Sequence, residues 1–166
     1  WAEGIFRDFD LIDEILVFED RESEIKTLIQ QSHVLRTKKF DLAVIFPNSF
    51  RSAITTKLAG IPRRFGYSKE GRRVLLTDAL DIPDWKGERH EVHYYINLVS
   101  HVEKAYLGTS TVADTVPDCS LNVSYERRKV AMEYLMQNGC KPGKPLIALG
   151  PGSTNSMAKR WPAERF

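Results

Sequence analysis

The sequence predicts an α/β fold in which a parallel sheet is flanked by helices. Three observations carry this expectation. Compact apolar runs of strand length occur at Ile15-Leu16-Val17-Phe18 and from Phe40 to Phe46, and continuous runs of this kind suit strands buried on both faces. Segments with apolar residues at helical spacing alternate with them. Polar stretches carrying proline, glycine or a helix-capping residue follow the runs, and ligands of an open α/β sheet bind beyond the carboxyl ends of its strands.

In chain order, Ile15–Phe18 reads as a buried parallel strand. Residues from about Glu22 to Lys38 place Ile25, Leu28, Ile29 and Leu35 at helical spacing. Phe40–Phe46 is the clearest strand, and its Leu42–Phe46 part is expected to lie parallel beside Leu16–Phe18. Pro47-Asn48-Ser49 ends it and can cap a helix from Phe50 to Ala59, which Gly60-Ile61-Pro62 closes. Short strands are expected at Arg64–Tyr67 and Val74–Leu76. A loop with Pro83, Trp85 and Gly87 leads to a helix from about Glu91 to Leu107, with Val92, Tyr95, Ile96, Val99, Val102 and Tyr106 along one side. Residues 108–118 are rich in Thr, Ser, Asp and Pro and read as a linker. A helix from Tyr125 to Asn138 stops at Gly139. Leu146–Leu149 is expected to be the closing strand, and Pro162 suits the first position of a helix.

Composition narrows the function. A chain of 166 residues, 42% hydrophobic and 28% charged, is globular rather than disordered. A net charge of +2 argues against bulk nucleic-acid binding. Cys119 and Cys140 are too few for a disulfide framework and fit a reducing compartment. No apolar run is long enough to span a membrane. The chain opens at Trp1 and closes at Phe166 just as a helix would begin, so a piece of a longer protein is expected.

Two loops hold candidate chemistry. After Leu146–Leu149, Gly150 and Gly152 bare the backbone, Ser153 and Thr154 supply hydroxyls, and Lys159 supplies charge, a set that can hold phosphate oxygens. The same residues also suit an ordinary strand-to-helix turn. Asn48, Ser49 and Ser52 can bind a sugar and Arg51 a phosphate or carboxylate, or Asn48 or Ser49 can simply cap the helix. Arg63, Arg64, Lys69, Arg72 and Arg73 form a basic segment. It reads as a solvated face or as a surface for an anionic acceptor or membrane. His90, His93 and His101 lack the neighbouring carboxylates or cysteines of a metal frame. His90 starts its helix and can reach a cleft, and the other two are expected on the surface. Asp8, Asp10 and Asp13 read as surface or capping residues.

Four phrases, KFDLAVIFPNSFRSAITTKLAGIPRRFGY, GRRVLLTDAL, RHEVHYYINLV and PLIALGPGSTNSMAKRWPAERF, cover about half the chain. In this order they closely resemble the lipopolysaccharide heptosyltransferases, a family of GT-B glycosyltransferases. The resemblance implies two Rossmann-like domains facing a cleft. Residues 1–115 would be a partial amino-terminal, acceptor-side domain lacking its first strand. Residues 116–166 would be a linker helix and the first strand and loop of the nucleotide-sugar domain. The implied reaction is an inverting transfer of heptose from ADP-heptose to the lipopolysaccharide inner core, without metal or cofactor, at the cytoplasmic face of the inner membrane. Ser153, Thr154 and Lys159 match the diphosphate loop. Asn48, Ser49, Arg51 and Ser52 match the acceptor-side loop, and His90 a recurrent histidine at a helix start. The family's catalytic aspartate follows a Gly-Asp turn that this sequence does not contain. That base is expected upstream of Trp1, and the 166 residues alone are expected to be inactive. A non-catalytic α/β module that binds a nucleotide or a partner protein is the alternative.

Overall fold

The computed structural model describes residues 3–18, 23–118, 120–150, 152, 153, 158 and 160–165. Its contacts divide the chain into two compact units, one of residues 13–120 and one of residues 1–12 with 121–166.

The larger unit begins its regular structure with helix α2, Glu24–Lys38, after a four-residue helix α1, Glu3–Phe6, in the other unit. Strand β1, Leu42–Ile45, leads to helix α3, Phe50–Leu58, and strand β2, Arg63–Tyr67. A 3-10 turn at Arg72–Leu75 precedes strand β3, Asp78–Leu80, and helix α4 spans Glu91–Leu107. The strands run parallel in the order β1-β2-β3, with Leu42 opposite Arg63 and Phe65 opposite Asp78.

The sheet is covered on both faces, and side-chain alternation along each strand decides what each face meets. Phe65, Tyr67 and Leu80 point to the face where Tyr94 and Leu98 of α4 pack, with Leu42 and Val44 alongside. Ile45 points the other way, to Ala53 of α3 and to Leu75 and Leu76, with Ala43 and Ala79 alongside. Burying each large side chain contributes about 1.5–3 kcal/mol, so these two clusters hold the sheet and its helices together.

Helix ends follow capping chemistry. The Ser49 hydroxyl accepts the Ser52 N–H at 3.2 Å at the start of α3. His90 Nδ1 accepts the Val92 N–H at 3.3 Å at the start of α4, and Gly108, at φ 75°, closes that helix. The Glu103 carboxylate then gathers the next turn, accepting the N–H groups of Thr111 and Val112 at 3.0 Å and the Ser110 hydroxyl at 2.8 Å.

The structure corrects several expectations. Ile15–Phe18 forms no strand and is not paired with Leu42–Phe46. A strand exists only where a neighbour takes its N–H and C=O groups, and among the described residues the ladders run between β1, β2 and β3 alone. Val74–Leu76 is not a strand either. Val74 and Leu75 close the 3-10 turn and the chain becomes a strand at Asp78. On α2 the apolar stripe is not the buried one, since Ile25 and Ile29 are exposed while Thr27 and Ser32 are buried. Ser32 donates to Leu28 O at 2.8 Å and to Thr55 O at 3.2 Å, so small hydroxyl residues let α2 and α3 approach. On α4 the buried positions are Tyr94, Leu98 and Ser100, whereas Tyr95 and Tyr106 are exposed.

The other unit holds helix α5, Tyr125–Gln137, which ends at Asn138 as its C-cap. Ser124 caps its start through the Arg127 N–H, and Asp8 accepts the Ser124 N–H at 2.9 Å and an Arg127 guanidinium N–H at 3.0 Å. Those bonds, the Ser124 N–H foremost, hold the Asp8 carboxyl below its ordinary pKa. Leu146–Leu149 forms no strand, and Leu146, Ile147 and Leu149 are exposed. No ladder of the described residues reaches it. Ala163–Arg165, just after Pro162, is a 3-10 turn. No helix among the described residues is long and apolar enough to cross a membrane.

Candidate functional site

The candidate site is the loop beyond the carboxyl end of β1, residues 46–49, with the first turn of α3. Two neighbours frame it, the α4 residue Tyr94 and the turn residue Arg72. Asn48 is half-buried and donates through Nδ2 to the Tyr94 hydroxyl at 3.2 Å. Tyr94 itself stacks on Tyr67, with ring centroids 3.9 Å apart and an interplanar angle of 16°. The Tyr67 hydroxyl donates to Tyr94 O at 2.7 Å and accepts from Asn97 Nδ2 at 2.9 Å. Burial pushes both phenols above their ordinary pKa, so both stay protonated at neutral pH. Lys86 Nζ lies 4.0 Å from the Tyr94 ring centroid and pairs with Glu91.

Arg72 is fully buried. Its guanidinium donates to Tyr67 O at 2.7 Å, to Pro47 O, to Ser49 O at 3.2 Å, to Ser52 Oγ at 3.3 Å and to Asn48 Oδ1 at 3.1 Å. Desolvation lowers its pKa from the ordinary value, yet arginine remains charged at any physiological pH. Gly66 gives it room: a Cβ there would sit 3.3 Å from Arg72 Nη2 and 3.3 Å from Leu76 Cδ2.

The basic segment is therefore not a uniformly solvated face. Arg63 holds Asp78 through two bonds at 2.9 and 2.8 Å, Arg64 donates to Leu75 O at 2.8 Å, and Arg73 pairs with Asp81 at 2.9 Å. Burial next to five acceptors takes Arg72 out of any surface role. Its part in the loop is not among the expectations drawn from the sequence. Its position directly after Gly71, with Gly66 on the preceding strand, is the available signal, because glycine is where a strand and a turn let a bulky group close in.

Of the residues singled out from the sequence, Asn48, Ser49 and Ser52 come together with Arg72. Arg51 follows in the first turn of α3. His90 is the N-cap of α4, one turn before Tyr94, so its imidazole serves that helix start. His101 is exposed, as expected, and its Nδ1 donates to Asn97 O at 2.8 Å, whereas His93 is only partly exposed. Ser153 lies in the other unit, and its carbonyl accepts from Arg160 Nε at 2.7 Å. Thr154 and Lys159 lie outside the described residues. Among the described residues no three His, Cys, Asp or Glu side chains gather as a metal group.

A parallel sheet between helices, with a polar strand-to-helix loop past one strand's carboxyl end, defines a Rossmann-like α/β unit. The sequence profile of glycosyltransferase family 9 (heptosyltransferase) matches residues 28–166, and the chain belongs to this family. It is 32% identical over 134 residues to lipopolysaccharide heptosyltransferase 2 of Escherichia coli K12. It is 33% identical over 138 residues to the protein of that name from Salmonella typhimurium. Each alignment covers 78% of this chain and 36% of the relative, so the chain spans about a third of these relatives' length. The solved structure of E. coli ADP-heptose LPS heptosyltransferase II is similar at a TM-score of 0.68 and 29% identity, over 98% of this chain and 46% of that one.

Proposed function

We propose that these residues belong to an enzyme that transfers heptose from ADP-heptose to the inner core of lipopolysaccharide. The observation that carries the reading is the family match across residues 28–166, together with the similarity to two lipopolysaccharide heptosyltransferases. In this reading residues 1–115 are part of the amino-terminal, acceptor-side domain of a GT-B enzyme. Residues 116–166 are a linker helix and the opening of the donor domain. Asn48, Ser49, Arg51, Ser52 and His90 take the acceptor side, where amide, hydroxyl and guanidinium groups suit sugar hydroxyls and core anionic groups. Ser153, Thr154 and Lys159 take the donor diphosphate, with Lys159 meeting charge as it develops on the departing ADP.

None of Asp8, Asp10 and Asp13 is assigned as the base that activates the acceptor hydroxyl. Asp8 is engaged with Ser124 and Arg127, and the family's base follows a Gly-Asp turn absent from these residues. In this reading that turn belongs to a preceding segment, and the enzyme works at the cytoplasmic face of the inner membrane.

The test is heptose transfer by the enzyme of the relatives' length that contains these residues. ADP release is expected only when ADP-heptose and a lipopolysaccharide inner-core acceptor are both present. The 166-residue chain alone is expected to give none. ADP release that ignores the acceptor, or no transfer by the longer enzyme, sinks the reading.

A further inference from the structure

Arg72 is fully buried, and its hydrogen-bond acceptors are all uncharged. That is a costly choice for a core position. Removing a guanidinium from water is expensive unless its N–H groups are satisfied, and an apolar side chain of similar size often serves stability as well or better. Four of the five acceptors lie between Pro47 and Ser52. The fifth, Tyr67 O, ties the same guanidinium to the end of β2. The side chain thus fixes the loop beyond β1 to the middle of the sheet.

It also sets which way the Asn48 amide points. Asn48 Oδ1 accepts from Arg72 at 3.1 Å and from the Tyr94 hydroxyl at 3.3 Å, so the donor-only guanidinium fixes which end is the oxygen, and Nδ2 donates to the same hydroxyl at 3.2 Å. We propose that Arg72 is a positioning residue for acceptor recognition: it holds the Pro47–Ser52 loop and fixes the Asn48 amide so that, with one Nδ2 hydrogen on the Tyr94 hydroxyl, the other is kept for a sugar oxygen. This rests on the reading of that loop as the acceptor side.

Steady-state kinetics of the longer enzyme, with acceptor and ADP-heptose varied separately, test both statements. Arg72→Lys keeps the charge and loses the fork of donors. Asn48→Asp keeps an acceptor for Arg72 and loses the N–H donor. Each is expected to raise the acceptor KM about tenfold, the factor that loss of about one hydrogen bond to the acceptor gives, while the ADP-heptose KM stays within about twofold. An unchanged acceptor KM in Arg72→Lys, with a raised one in Asn48→Asp, overturns the inference and leaves the acceptor-side reading standing. An unchanged acceptor KM in Asn48→Asp overturns that reading and the inference with it. Equal rises in both KM values in Arg72→Lys make Arg72 a general structural residue and overturn the inference. If Arg72→Lys does not fold, Gly66→Ala, which crowds the guanidinium without removing it, carries the test with the same expected split. An unchanged acceptor KM in folded Gly66→Ala, or failure of both variants to fold, overturns the inference.

Discussion

The Tyr67 hydroxyl donates to the backbone carbonyl of Tyr94 at 2.7 Å while the two rings stack 3.9 Å apart. One residue of β2 therefore grips α4 by its ring and by its hydroxyl together. Tyr67→Phe keeps the stack and loses the hydroxyl, leaving Asn97 Nδ2 without that acceptor. A loss of about 1–2 kcal/mol is expected, read as a lower urea midpoint at unchanged slope. No change in the midpoint means the hydroxyl is exchanged for water at no cost.

Gly66→Ala should destabilise the chain. The added Cβ meets Arg72 Nη2 and Leu76 Cδ2, both at 3.3 Å. The guanidinium is held by five acceptors and Leu76 is buried, so neither yields freely. Overpacking of this kind costs about 1–3 kcal/mol. Thermal unfolding checks it, and an equal or higher Tm would show that the turn shifts without strain.

Stability should fall in acid partly through Asp78. The Arg63 guanidinium, bonded to it twice, holds its carboxyl below the ordinary value, and the Thr77 hydroxyl adds to this at 2.8 Å. A depressed folded pKa contributes stability that is present above the unfolded value, about 3.9, and lost as pH falls through the folded one. Asp78→Asn should therefore be less stable than the parent at neutral pH, with the gap closing below about pH 4. Urea midpoints of both proteins across the acid range, from neutral down to about one pH unit below that value, measure it. A gap independent of pH would remove the carboxylate's charge from the account.

Lys159→Ala, in the enzyme of the relatives' length, should lower kcat/KM for ADP-heptose by roughly one to two orders of magnitude, the range that a charge-assisted contact of about 1.5–3 kcal/mol gives. The motive is its place after the glycine-containing loop, with a leaving diphosphate to neutralise. Unchanged efficiency leaves Lys159 a surface charge.

Much of this fold is legible in the sequence, for identifiable reasons. Leu42–Ile45 announces itself because a parallel strand is apolar on both faces, and Ser49, Gly60 and Gly139 punctuate helices by local chemistry. Ile15–Phe18 has the same apolar character and no ladder, because pairing is a property of two segments and composition belongs to one. The buried sides of α2 and α4 escape a reading by periodicity because packing selects by fit. Thr27 and Ser32 go inward on α2, and Tyr94 of α4 enters the core with its hydroxyl satisfied by Asn48. At the candidate site, Asn48, Ser49 and Ser52 are visible as a polar loop after a strand. Arg72 is hidden among other basic residues, since a charge in sequence reads as surface until its acceptors are seen.

Among the described residues, all the buried ones lie between Thr27 and Ser100, and α5 buries none of its own. The consequence is a molecule that keeps two clocks. Amide hydrogens of β2 and of the middle of α4 exchange with solvent only when the sheet and its two clusters come apart. Those of α5 need no such event, because a helix without a buried side chain frays and re-forms on its own. Deuterium should fill residues 125–137 well before residues 63–67 and 94–100, and a protease should find its first cut in the same place.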